Sequence, residues 1–378
     1  MGGARALEVF MSQRPNDQNN FLIAIVLSVA VMLGWQYFYA GPQIKAQQEK
    51  AQREKAAAET PAGTPTATPA VPGATVPSTA VPGTTPKPVL STAASSTRAE
   101  ALAGSARVPI ETPSLTGSIA LKGGLIDDLV LVNYHETVDP KSPNVVLFSP
   151  LGGPNAYFAE YGWQQTANAQ QPMPGAETVW QAEPGAKLTP TAPVVLTWDN
   201  GQGLKFRRTI AIDKNYMLAV TDEVENTTLG DVVLAPYARL YRFGTPHTSG
   251  YSVLHEGLIG VVDRNVSWCG TFTSSNFCEL AYKRALDDGN KSLDSKAGGW
   301  LGITDKYWAA ALIPDQSKEF IGTFGSQHAS GGSPDVFWTD YRQNPVPIAA
   351  GSVLKTEANL FAGAKQVKVV ESYEADLN

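Results

Sequence analysis

Residues 204–225 read LKFRRTIAIDKNYMLAVTDEVE. The stretch holds two runs, Leu204–Ile212 and Tyr216–Glu225, rich in β-branched and aromatic residues. From Lys205 to Ile212 polar and apolar residues alternate in part, the mark of a strand with one buried face. The same pattern recurs outward in both directions. Towards the N-terminus, Gly117–Lys122 and Leu125–Val132 flank Gly123-Gly124, a hairpin signal, and Val194–Trp198 follows them. Towards the C-terminus come Val232–Phe243, Leu258–Val262, Tyr307–Ile313, Glu319–Phe324, Val336–Tyr341 and Val353–Phe361. Helical periodicity is nearly absent until the end. Many strands without alternating helices predict an antiparallel sandwich or barrel, not a parallel α/β sheet. Residues 107–362 far exceed the ~100 residues of a simple immunoglobulin sandwich, so a larger double-sheet sandwich is expected.

The flanks are of other kinds. Lys365–Leu377, KQVKVVESYEADL, predicts a terminal helix within residues 363–378. Val367, Val370 and Tyr373 share one of its faces, with Leu377 near it, and are expected to dock it. Residues 60–106, rich in Pro, Thr, Ala, Ser and Gly, cannot bury enough apolar surface to fold and read as a disordered linker. As a flexible coil it would span roughly 35–40 Å. Residues 41–59 are strong helix formers with charges of both signs. Residues 21–40, FLIAIVLSVAVMLGWQYFYA, carry no charge and, as a helix of about 1.5 Å per residue, match a bilayer core of about 30 Å. The run is longer than a cleavable signal core, ends in a Trp/Tyr belt, and has Phe38 where a cleavage site wants a small residue, so it reads as a retained anchor. Residues 1–20 form a short polar tail. Lys and Arg counts alone would place the C-terminal side inside, but long domains translocate regardless of flanking charge.

The formal net charge of −6 argues against nucleic-acid binding, which calls for a basic patch. The chain has two cysteines, Cys269 and Cys278, in CGTFTSSNFC. They form either a disulfide closing a short hairpin loop, which suits an oxidising compartment, or two unpaired thiols. CxxC metal spacing is absent.

Most catalytic signatures are missing. There is no GxSxG, phosphate-binding loop or dinucleotide fingerprint, and His255-Glu256 lacks the second His of HExxH. His135, His247, His255 and His328 show no metal-ligand spacing, and no cofactor, metal or catalytic site is expected. Large β-sandwiches that epimerise sugars use a His and a Glu, roles open in principle to His247, His255 and Glu256 with Trp198, Trp268 or Trp338 as stacking platforms. Without supporting spacing these residues read as loop and packing residues. The most distinctive string is Gly298–Pro314, GGWLGITDKYWAAALIP. Its aromatic and aliphatic residues read as packing anchors, and Asp305-Lys306 as a polar corner between strands.

That string closely resembles the signature of the periplasmic domain of YidC-type membrane protein insertases, carried here by Trp300, Gly302, Thr304, Asp305, Lys306, Tyr307, Trp308 and Pro314. Asn19-Asn20-Phe21 resembles the start of the family's first membrane helix, and Gly117–Asp128 its opening hairpin. The resemblance implies a mutarotase-like β-supersandwich in the periplasm, an N-terminus in the cytoplasm, and a place in the bacterial inner membrane. It implies a role in inserting and folding nascent membrane proteins in the lipid bilayer, alone or with the Sec translocon and its accessory subunits, and no enzyme activity. Family members continue with five more helices that hold a polar groove. No residue here matches that groove, so the chain is read as the scaffold portion. The cysteine segment looks like an addition to the family pattern. The competing reading is a tethered periplasmic sugar- or peptide-binding module acting alone.

Overall fold

The stretch that opened the reading forms β8 (Leu204–Ile212) and β9 (Met217–Asn226), paired antiparallel with Lys205 opposite Glu225 and Arg207 opposite Glu223. These outward residues form ion pairs at 3.5 and 3.8 Å, worth no more than about 1 kcal/mol each at an exposed site. Leu204, Phe206, Ile210 and Ile212 point inward and are buried. Arg208 interrupts this apolar row, which is why the alternation in the sequence is only partial. It too points inward, where Asp222 receives its Nε and Nη2 at 2.7 and 2.8 Å.

The computed structural model describes residues 97–166, 171–246, 254–263, 277–329 and 334–377. All of them belong to one unit of the chain, Ser78–Asn378; the other unit, Met1–Pro77, lies outside the described residues, as does the apolar run 21–40. No helix among the described residues is long and apolar enough to cross a membrane.

The described strands form two antiparallel sheets. The nine-stranded sheet runs β12 (Phe277–Ala281), β11 (Gly257–Val261), β14 (Trp300–Thr304), β15 (Trp308–Pro314), β19 (Val353–Ala364), β9, β8, β7 (Val194–Asp199) and β6 (Gln181–Ala182). The ten-stranded sheet runs β1 (Arg107–Glu111), β2 (Leu115–Ala120), β3 (Ile126–His135), β5 (Tyr157–Gln165), β10 (Val232–Phe243), β17 (Val336–Gln343), β16 (Phe320–Gln327) and β13 (Lys291–Ser295). In the same sheet β4 (Asn144–Phe148) pairs with β3 and β18 (Val346–Ile348) with β10.

The two sheets share one apolar core, in which Leu129, Leu240 and Phe337 of one meet Leu218, Leu312 and Leu360 of the other. Burying a side chain of this size stabilises the fold by about 1.5–3 kcal/mol. Polar bonds cross the same interface. Arg208 Nη2 donates to Tyr161 O at 2.8 Å, Tyr161 Oη donates to Asn359 O at 3.3 Å, and Tyr157 Oη donates to Ile303 O at 3.4 Å. This is the expected double-sheet sandwich.

The Gly123-Gly124 turn joins β2 to β3, and both glycines have positive φ, 77° and 62°. Side chains rarely adopt that conformation, and at Gly124 a Cβ would also strike the Trp180 ring at 2.8 Å.

Two expectations are corrected. Residues 97–106, assigned to the linker, are ordered at its end. Helix α1 (Arg98–Ala103) is closed by a capping box between Thr97 and Glu100, and Arg98 pairs with Asp128 of β3. Local caps and one ion pair hold a segment whose composition alone predicts disorder. A second short helix, α2 (Tyr282–Asp288), follows β12.

The terminal helix is present as α3 (Val367–Leu377), and Tyr373 docks it as expected, but Val367 and Val370 do not. Val369 and Tyr373 pack on the core, while Val367 and Val370 are 69% and 43% exposed. Tyr373 Oη donates to Asp213 and accepts from Tyr216 N–H, and Gln366 Nε2 donates to Tyr134 Oη at 2.7 Å. Polar anchoring sets the rotation of the helix, which an apolar count does not register.

Candidate functional site at the β14–β15 corner

The string Gly298–Pro314 folds as β14 and β15 with a tight turn between them. Asp305 N donates to Trp308 O at 2.9 Å to close that turn. Gly302 sits opposite Ala311, where an added Cβ would lie 2.4 Å from Ala310 O, so the close strand approach excludes a side chain. Pro314 ends β15 beyond the last residue paired with β14, where its missing N–H costs no ladder bond on that side. Trp300 opens β14 and packs its ring 6.2 Å from Phe277.

Asp305 is 6% exposed and is the centre of the corner. Its Oδ1 accepts from Tyr282 Oη at 2.8 Å, and Oδ2 pairs with Arg242 Nη2 at 3.2 Å. Arg242 lies over the Tyr157 ring, 4.8 Å from its centroid. Burial would lower the Arg242 pKa, but the Asp305 charge and two neighbouring tyrosines outweigh it and hold the group above its ordinary value. Burial, and then the Asp305 charge, push the Tyr282 hydroxyl well above the usual tyrosine value. The carboxylate is thus fixed by one cation and one hydroxyl from two other elements, β10 and α2. This geometry suits a structural knot.

The corner also fixes where the chain leaves the sandwich. Thr304 Oγ1 and Asp305 O both accept from Lys365 Nζ, at 3.0 and 2.7 Å, and Lys365 N donates to Tyr307 O. Lys365 joins β19 to α3. Trp308 packs edge-on against Tyr134 with centroids 5.1 Å apart, and Tyr307 is 56% exposed with Lys306 Nζ 5.3 Å from its ring centre. The string therefore forms one site, and α3 is attached to it.

Sequence reasoning missed Arg242, Tyr282, Lys365 and Tyr134, which come from 23 to 171 positions away in the chain. None of them carries a local pattern that marks it. The described residues weighed for sugar chemistry are held in separate packing contacts. Trp198 packs on Phe206 in the nine-stranded sheet, and Trp338 lies near Tyr241 in the ten-stranded one. His255 Nε2 is 3.1 Å from Leu258 O, while His247 and Trp268 lie outside the described residues. Cys278 is buried and disulfide-bonded; Cys269 lies outside the described residues. No cluster that would hold a metal exists among the described residues.

The family model described as the YidC periplasmic domain matches residues 107–378. The chain belongs to the YidC membrane protein insertase family. A protein of Methylobacterium radiotolerans named membrane protein insertase YidC is 47% identical over 96% of this chain and 57% of its own length. Proteins of the same name from Methylorubrum extorquens and Bradyrhizobium diazoefficiens are 46% and 45% identical over 96% and 94% of the chain, and 57% and 55% of their own lengths. The chain thus spans a little over half the length of these curated relatives. Among solved structures, a galactose mutarotase-like protein from Lactobacillus casei is 13% identical with a TM-score of 0.45, covering 68% of this chain and all of that one. A putative aldose 1-epimerase of Escherichia coli, 11% identical with a TM-score of 0.44, covers 68% of this chain and 99% of that one. At these values nothing about sugar chemistry passes to this chain.

Proposed function

We propose that this chain is the periplasmic scaffold portion of a membrane protein insertase, held in the bacterial inner membrane by residues 21–40 with its N-terminus in the cytoplasm. Its substrates are nascent membrane proteins, received alone or beside the Sec translocon and its accessory subunits, and it catalyses no bond-making reaction. The observation that carries this reading is the family membership, with 47% identity over 96% of the chain to a named insertase. The corner supports a scaffold role, since Asp305 is committed to Arg242 and Tyr282 and its backbone to Lys365. No observation favours the tethered sugar-binding module.

The test is depletion of the gene product in its host, with a single-span reporter followed by protease accessibility. The reporter is expected to stay uninserted and to recover on re-expression. Normal insertion under full depletion overturns the proposal. Protease added to spheroplasts is expected to reach the sandwich; complete protection there overturns the orientation.

A further inference from the structure

Two residues, Lys365 and Gln366, separate the end of β19 at Ala364 from the start of α3 at Val367. Neither is glycine or proline, and each is bonded through both backbone and side chain. Lys365 N donates to Tyr307 O at 3.0 Å, and its Nζ donates to Thr304 Oγ1 and Asp305 O. Gln366 N donates to Ala364 O at 2.8 Å, and its Nε2 donates to Tyr134 Oη and, at 3.4 Å, to Tyr216 Oη. The Gln366 carbonyl accepts from Val369 N and Val370 N, so the first bonds of the helix start at the joint itself. Tyr373, about 10 Å farther along the helix axis, is held a second time. Its Oη bonds Asp213 and Tyr216 N–H, and its ring meets Phe361 edge-on with centroids 6.0 Å apart. Attachments two turns apart fix both the axis and the rotation of a helix. Their partners come from both sheets, Tyr134 from β3 of the ten-stranded one and Thr304 and Phe361 from β14 and β19 of the nine-stranded one. A hinge needs residues free to absorb a change of φ and ψ, and the bonds at Lys365 and Gln366 oppose such a change. The other described end differs. Helix α1 buries no residue, and residues 60–96 before it have the composition of a flexible linker.

We propose that Lys365 and Gln366 form a rigid joint, so that the sandwich and α3 move as one body, and that Lys365 is a positioning residue for insertion. Lys365 acts by holding α3 in one direction from the β14–β15 corner, not by touching a substrate. The rigidity stands on the geometry alone; the role in insertion rests on the function proposed above. A lysine suits the lock because one ammonium bridges the Thr304 hydroxyl and the Asp305 carbonyl, the two ends of the turn that closes β14. With a flexible connection on one side and a fixed arm on the other, the orientation of the sandwich is passed through α3.

The full chain in detergent is spin-labelled at Lys355→Cys on β19 and Val370→Cys on α3, both exposed, and the distance distribution is read by double electron–electron resonance. Cys278 is already disulfide-bonded, which directs the labels to the introduced cysteines. Lys355→Cys with Lys187→Cys, a pair within the sandwich, is the control. The α3 pair is expected to be as narrow as the control. Lys365→Met is expected to broaden it by roughly twofold or more, Gln366→Ala to broaden it less, and Lys365→Arg to keep it narrow. In the depleted host, Lys365→Met is expected to lower reporter insertion severalfold and Lys365→Arg to restore it. A broad distribution in the unmutated joint overturns the rigid joint, as does a narrow one in both Lys365→Met and Gln366→Ala. Broadening with normal insertion overturns the positioning role alone. Normal insertion without the gene product overturns the insertase reading and the positioning role with it, while the distances still decide the joint.

Discussion

Replacing Asp305 with Ala removes the carboxylate from Arg242 and Tyr282 while leaving the backbone oxygen that holds Lys365. The Arg242 side chain is 11% exposed, so its charge would be left buried beside the Tyr157 and Tyr282 rings with no carboxylate from Asp305. Breaking a buried pair from one side costs about 3–5 kcal/mol, a large share of the roughly 5–15 kcal/mol that a domain has in total. Asp305→Asn keeps an acceptor for Tyr282 Oη but loses the charge, and should cost about 2 kcal/mol. Adding Arg242→Met to Asp305→Ala removes the orphaned cation. The double variant should then be less destabilised than the sum of the singles by about 2 kcal/mol. Urea unfolding of the full chain in detergent, followed by circular dichroism and tryptophan fluorescence, gives all four corners of the cycle. A cost below about 1 kcal/mol for Asp305→Ala, or strict additivity in the cycle, would refute the account of the corner as a buried electrostatic knot.

Tyr373→Phe removes the donor to Asp213 and the acceptor for Tyr216 N–H, a loss of about 1–2 kcal/mol that should appear as faster hydrogen exchange along α3; unchanged exchange would contradict the anchoring described. Gly302→Ala forces a Cβ to within 2.4 Å of Ala310 O and should lower stability by about 2 kcal/mol or more, read as a lower urea midpoint; a neutral result would mean the strands can separate freely there. Burial raises the hydroxyls of Tyr157, Tyr161, Tyr237, Tyr282 and Tyr341 above their unfolded value. Above pH ~10 the unfolded chain therefore releases protons that the folded chain keeps, and stability falls by on the order of 1.4 kcal/mol per pH unit for each such group. Urea midpoints at pH 9 and 11 check this, and equal midpoints would count against it. We expect Cys269 to be the disulfide partner of Cys278, so reduction should add about two daltons and alkylation before reduction should label neither; labelling of the native chain would rule the bridge out.

The sandwich itself was legible because the pleat writes burial into sequence with a period of two. β8 and β9 show that period, and even the flaw in it, Arg208, is a real structural feature. The string Gly298–Pro314 was legible as distinctive, and Asp305-Lys306 as a corner, because a tight turn is a local event. β4, β5 and β12 escaped notice, since short or two-face-buried strands lack clean alternation. Tyr373 docks α3 as its place in the apolar pattern suggests, but Val367 and Val370 only look like anchors to a count of apolar residues. Tyr373 and Gln366 set the rotation through partners on β9's approach and on β3.

By itself the sequence determined the class of fold and the family, since each is carried by patterns within a few residues. Only the tertiary structure decided what Asp305 does. Its partners Arg242, Tyr282 and the Lys365 contact beside it come from β10, α2 and the end of β19, and nothing local links them. A buried charge needs its counter-charge within a few ångströms in space, and sequence spacing places no limit on where in the chain that partner is found.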